Sequence, residues 1–234
     1  MLAIYKREMR SYFTTPLGYV FLSIFLAVSA AVFCFTTLFA MSSEVTTYFS
    51  TMMQCYVVLL PLLTMKLFSE EKKQKTEQLL LTAPVSTFSI VLGKFLAAYT
   101  VFASVTAFST LYFLIVGVYG HVKVPILFGN LIAVLLVGLA LIAVGIFISS
   151  ITENQLSAAV ATMALLFLLM FISLACQYIS FYPVRFVLES LSLFYRFQYF
   201  TQGIFDFAGL FYYISVAALF LFLTVRVFDR RRWK

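Results

Sequence analysis

The chain has 234 residues, 63% of them hydrophobic and 11% charged, with a formal net charge of +7. Soluble domains run at about 25% charged residues, so an ordinary water-soluble domain is excluded and the bilayer is the natural solvent. At ~20 residues per helical span, the length is expected to hold six spans and to leave no room for a nucleotide-binding domain. The basic residues flank apolar runs instead of forming a stripe, which argues against nucleic acid as a partner.

Residues 1–16 come first. Ile4, Tyr5, Met9, Tyr12 and Phe13 fall near helical spacing, against polar Lys6, Arg7, Glu8 and Arg10. The pattern predicts an amphipathic helix in the membrane interface, apolar side in the lipid and basic side toward anionic head groups. A disordered basic tail is the alternative. Pro16 and Gly18 then allow a change of direction into span one, 17–40. This apolar run is longer than the core of a signal peptide and lacks a small-residue cleavage site, so it is expected to stay in the protein.

The stretch MSSEVTTYFS carries Glu44 and no Lys or Arg. Span two, 49–65, contains Pro61, which a membrane helix accommodates as a kink. A charged segment, 68–90, follows. Ser69 can cap a helix whose first turn holds Glu70 and Glu71 ahead of Lys72 and Lys73. Leu79, Leu80 and Leu81 supply an apolar face, and Pro84 ends the helix, since the residue before proline is pushed out of the α region. A second short helix, 87–94, leads into span three, 91–118. That span is rich in Ala, Ser, Thr and Phe and suits close packing.

The turn YGHVKVP leads to span four, 126–149, in which Gly138 and Gly145 stand seven apart on one face and suit close helix approach. A polar break, SSITENQ, separates it from span five, 156–177. Glu153 and Asn154 in that break read as turn and capping residues, or as a contact to a partner. Residues 178–206 are too apolar for an aqueous loop and too broken for a clean span. Two short amphipathic helices dipping into the outer leaflet, held at head-group depth by Phe and Tyr, would explain them. A single tilted seventh helix is the alternative. Span six is 207–228, and the chain ends DRRRWK.

Orientation follows from charge. Lys6, Arg7, Arg10, Lys66, Lys72, Lys73, Lys75, Lys94, Arg226, Arg230, Arg231, Arg232 and Lys234 fall on one side, which the positive-inside rule makes cytoplasmic. Lys123, Arg185 and Arg196 fall opposite. Both termini are therefore expected in the cytoplasm.

Catalytic signals are lacking in the sequence. His121 is the single histidine, in an outer turn, and Cys34, Cys55 and Cys176 lie in or beside apolar segments without a CxxC pair. Glu189 and Arg196 stand seven apart on one helical face, as solvated charges or as a pair with another subunit. No glycine-rich phosphate loop is present. An intramembrane lipid-modifying enzyme or protease would need ionisable residues inside the spans, and these are almost free of them. A passive scaffold would not need so particular a segment as Glu70 to Pro84.

The stretches KREMRSYFTTPLGYVFLSIF and SEEKKQKTEQLLLTAPVSTFSIVLGKFLAA resemble the permease subunits of ABC-2 type ABC transporters, most closely the small, six-span, gliding-motility-associated (GldF-like) branch. The resemblance extends along essentially the whole chain, and its most specific part is 70–86. It implies an all-α polytopic membrane protein with six transmembrane helices. Lys6, Arg7, Arg10 and Tyr12 would lie on the interfacial helix that touches the ATPase. Glu70, Glu71, Lys72, Thr76, Glu77, Leu79, Leu80 and Pro84 would form the cytoplasmic coupling helix seated in an ATPase cleft. Pro183, Arg185, Glu189 and Arg196 would belong to re-entrant extracellular helices closing the outer end of the path. The resemblance further implies a permease that is not itself an enzyme and a dimer with a second copy or a related permease. ABC ATP-binding subunits would hold the ATP and Mg, with no cofactor in this chain. The location would be a prokaryotic inner membrane. Lys75, Glu77 and Gln78 depart from the family's usual residues, which bears on which ATPase is accepted. Spans one, two and five are expected to line a path suited to lipid-like, amphipathic or peptide cargo.

Overall fold

A backbone in hydrocarbon has no water to bond and must satisfy its own polar groups, so apolar runs of this length fold as helices. The computed structural model describes residues 1–76, 85–119, 123–176, 188–189, 192–201 and 207–232. Helix α1 is Leu2–Thr14 and α2 is Pro16–Phe33, the latter prolonged by a π-helical turn, Cys34–Leu38. Next come α3 (Val45–Thr64), α4 (Lys66–Lys73), α5 (Thr87–Thr110) and α6 (Tyr112–Tyr119). The remainder are α7 (Val124–Ile151), α8 (Gln155–Ala175), α9 (Leu193–Thr201) and α10 (Phe207–Arg232). No strand occurs among the described residues.

Among the described residues, six helical stretches are long and apolar enough to cross a membrane: Gly18–Leu38, Val45–Lys73, Thr87–Val118, Val124–Ile151, Gln155–Ala175 and Phe207–Arg231. The expected all-α, six-span fold is therefore present. Of the segment expected to be re-entrant, 178–187, 190–191 and 202–206 lie outside the described residues.

Helix α7 is the centre of the bundle, packing against α10, α3, α5, α8, α9 and α4. Its sequence is apolar around the whole circumference, and such a helix belongs in the interior. Residues Ala140 to Ile146 are buried without interruption. The glycines make the close approach that their spacing suggests, but to two different neighbours. A Cβ on Gly138 would stand 2.1 Å from the Phe102 ring of α5, and one on Gly145 would stand 2.3 Å from Thr64 Oγ1 of α3. Aromatic rings fill the rest. Phe25, Tyr56 and Phe102 join α2, α3 and α5, and the buried Ser29 and Tyr48 hydroxyls bond each other at 2.9 Å.

The exit of span two differs from expectation. Ser69 does not cap a new helix. It lies inside α4, and its hydroxyl donates back to Met65 O. Pro61 removes one backbone donor from α3, and the ladder is interrupted at Met65. Ser149 of α7 repairs the gap. Its Oγ accepts from Phe68 N at 3.2 Å and Ser69 N at 3.3 Å, and donates to Met65 O at 3.1 Å. The helical stretch from Val45 therefore continues to Lys73, and the charged segment starts as its extension. Likewise, the short helix expected at 87–94 and the start of span three are one helix, α5, capped by Ser86, whose hydroxyl accepts from Ser89 N at 3.3 Å.

Helix α1 also differs. Its apolar side faces protein, not lipid. Ile4, Tyr5 and Met9 pack on the core, Tyr12 is buried, and only Phe13 of that set stays exposed. Gly93 of α5 makes room for it: a Cβ there would stand 3.1 Å from Ile4 Cγ2. Gly18 makes the turn into α2 possible, since a Cβ would collide with Tyr12 O at 1.7 Å.

Candidate functional site

On α1, Tyr5, Glu8 and Tyr12 are spaced i, i+3 and i+7, so all three face the bundle. Tyr5 donates to Thr100 Oγ1 at 3.2 Å and Tyr12 to Leu63 O at 3.2 Å. Glu8, between them, is thereby carried under the helix. Lys94 of α5 waits there, 1% exposed. Its ammonium contacts Leu67 O at 2.6 Å, Glu71 Oε1 at 2.9 Å and Glu8 Oε1 at 3.2 Å. Arg7 Nη2 closes the ring from the outside, 2.7 Å from both Glu8 Oε1 and Glu71 Oε1. Two cations and two carboxylates thus tie α1, α4 and α5 together.

Burying charges costs several kcal/mol per ion unless they are paired and hydrogen-bonded. The electrostatics show that the pairing prevails. Burial opposes ionisation of Glu8, yet Lys94 and then Arg7 outweigh it and hold the carboxyl below its ordinary 4.5. Burial likewise opposes the charge on Arg7, and Glu8 and Glu71 overcome it. Burial, aided by the Glu8 charge, pushes the Tyr12 hydroxyl up, so it stays a neutral donor. The Glu8 carboxylate is thereby fastened and poorly placed to act as a base.

Beside the cluster lies a cleft of ≈ 540 Å³ that Lys66, Glu70, Gln74 and Thr76 also border. Lys66 Nζ sits 4.2 Å over the Tyr12 ring and reaches Thr15 Oγ1 at 3.4 Å. A second set of contacts surrounds it. Lys72 pairs with Glu153 at 3.1 Å and reaches Ile151 O at 3.4 Å. Arg231 donates to Ser150 O at 2.7 Å, and Thr87 donates to Asp229 Oδ1 at 2.6 Å. Helix α1 and the end of α10 therefore meet at the same end of the bundle.

Several of the residues singled out from sequence converge here. Arg7, Tyr12, Glu70, Glu71, Lys72 and Thr76 lie at this end, with Thr76 Oγ1 donating to Glu71 O at 3.3 Å. Lys6 and Arg10 are exposed on α1. Glu77, Leu79, Leu80 and Pro84, with Pro183, Arg185 and His121, lie outside the described residues. Glu189 is half-buried. Arg196 is half-buried, with its guanidinium 4.4 Å from the Tyr212 ring. Asn154 occupies the N-cap position of α8 without a side-chain cap bond, while Glu153 turns to Lys72.

Sequence reasoning missed Glu8, Lys66 and Lys94 as partners. The signals were present for two of them. Glu8 interrupts the Tyr5–Tyr12 stripe, and Lys94 stands alone within IVLGKFLAA. An ionisable residue in an apolar face or span needs a partner.

A family model described as ABC-2 family transporter protein matches residues 61–233. No curated protein matches the chain. The matched region contains Glu71 and Lys94 and leaves out α1, which brings Arg7 and Glu8 to them.

Proposed function

The chain belongs to the ABC-2 transporter family, and from that membership we propose a membrane-spanning permease subunit that borrows its energy from separate ATP-binding subunits. The permease forms a substrate path as a dimer, with a second copy or a related permease, and works as an exporter. The ion-cluster end faces the cytoplasm, with both termini there, in a prokaryotic inner membrane. The resemblance of 70–86 favours the gliding-motility-associated branch.

One observation carries this reading. The segment expected to meet the ATPase begins inside a helix: Glu70 to Lys73 are the last residues of α4, which Glu71 anchors to Lys94 of α5 and Arg7 of α1. A push on the segment beyond Thr76 is delivered to three helices at once. Packed helices answer such a load by moving as bodies. Work follows only where the two permease conformations bind the ATPase states differently.

The test is copurification of an ATP-binding subunit with the tagged permease from native membranes. Leu80→Asp should abolish the association while leaving the permease folded. Glu71 is a poor choice for this purpose, because its loss breaks the cluster. Retention of the ATPase by Leu80→Asp, or labelling of a Lys73→Cys thiol from outside the cell, would overturn the proposal.

A further inference from the structure

At the end of α2 remote from the ion cluster, the helix widens into the π turn. Phe39 N donates to Cys34 O at 2.8 Å and Ser42 N to Thr37 O at 3.2 Å, each five residues back. Single π turns recur at functional sites. Here the turn has a definite chemical consequence. Thr36 returns its hydroxyl to Val32 O at 2.8 Å, the usual recourse of a threonine in a helix. Thr37, 4% exposed, has a hydroxyl without any partner. Buried hydroxyls are rarely left so, and an orphan asks for an explanation.

Thr37 lines a cleft of ≈ 350 Å³ between this turn and α6. Leu38, Met41, Ile115 and Val116 form its apolar wall, and Ser42 borders it beside Met41. Outside the wall, Phe35, Phe39 and Val118 are 69%, 75% and 78% exposed, as lipid-facing residues of a span should be. Ser43 borders the cleft too, and Glu44 follows it in sequence. The cleft thus straddles the level at which hydrocarbon gives way to head groups. A ligand that fits must offer an apolar chain on one side and a hydrogen-bond acceptor at its root.

We propose that this cleft holds one acyl-ester lipid of the leaflet remote from the ion cluster. Its ester carbonyl accepts from Thr37 Oγ1, and its chain lies along Leu38, Ile115 and Val116. Acyl esters place a carbonyl at the depth of the orphan hydroxyl, which an alkane chain cannot do. A lipid so held differs from the general annulus in having a buried polar contact, and it bridges the end of α2 to α6. The inference needs only that the chain spans a membrane, and stands or falls apart from any ATPase.

Native mass spectrometry of the detergent-purified full chain tests it, with diacyl phosphatidylglycerol added against its dialkyl ether analogue. The wild type should retain one diacyl lipid, preferred over the ether by about fivefold, the net worth of one hydrogen bond. Thr37→Val, close to isosteric, should bring that ratio to about one, and Thr37→Ser should preserve it. Ile115→Trp, which fills the cleft and leaves Thr37 in place, should lose the retained lipid. Equal retention of ester and ether by the wild type would reveal annular lipid only and overturn the proposal. So would an unchanged preference in Thr37→Val, retention by Ile115→Trp, or cross-linking of a Met41→Cys chain to a second copy across the cleft.

Discussion

Replacing Lys94 with methionine removes the one cation that is buried within the cluster while keeping a flexible chain of similar length. In the native protein the ammonium meets two carboxylates and the Leu67 carbonyl, at 3.2, 2.9 and 2.6 Å. Afterwards Glu8 and Glu71 would share Arg7 alone, whose side chain is 49% exposed and therefore screened by solvent. The two carboxylate side chains are only 11% and 16% exposed, so water from the adjoining cleft replaces only part of what was lost. Breaking a buried pair from one side costs about 3–5 kcal/mol, and Lys94→Met should fall in that range. The double variant Lys94→Met with Glu8→Gln should recover part of the loss, because the orphaned charge goes too.

The pH dependence gives an independent reading. In the native protein the carboxyl of Glu8 is held below 4.5. Its stabilisation is thus fully present above that value and lost as pH falls through the lower, folded value. In Lys94→Met the burial that opposes ionisation is no longer offset by Lys94, and the folded value rises. The variant should then lose less stability than the native protein as pH falls below 4.5, where the native protein gives up the Glu8 contribution. Equilibrium unfolding in mixed micelles at graded SDS fractions, repeated from pH 7 to pH 4, measures both effects. A loss under 1 kcal/mol, or parallel pH profiles for the two proteins, would refute the clamp.

Two further substitutions probe the frame around it. Gly138→Ala forces a methyl into the Phe102 ring and should cost about 1–3 kcal/mol; Phe102→Leu in the same chain should relieve it in the same unfolding assay. Ser149→Ala leaves Phe68 N and Ser69 N without the hydroxyl that receives them. It should cost about 1–3 kcal/mol and speed amide hydrogen exchange at 68–69, with little change along α8.

The spans are legible from sequence because crossing a membrane is a sum over contiguous residues: ~20 apolar side chains in a row fix the choice wherever the rest of the chain goes. The same local arithmetic marks Gly138 and Gly145 as places of close approach. It could not say that one receives the Phe102 ring and the other Thr64, since that depends on which helices become neighbours. Helix α1 shows the limit clearly. Its stripe of Ile4, Tyr5, Met9 and Tyr12 specifies an amphipathic helix, and lipid or protein satisfies that stripe equally well; the tertiary structure chose protein. Only that choice brings Glu8 to Lys94, 86 residues away in sequence, and turns two charges that look misplaced in apolar surroundings into a joint. Composition and apolar run length, acting locally, made this a six-span membrane protein. Ion pairing acts between whichever surfaces packing brings within about 4 Å, so the fastening of α1, α4 and α5 exists only in three dimensions.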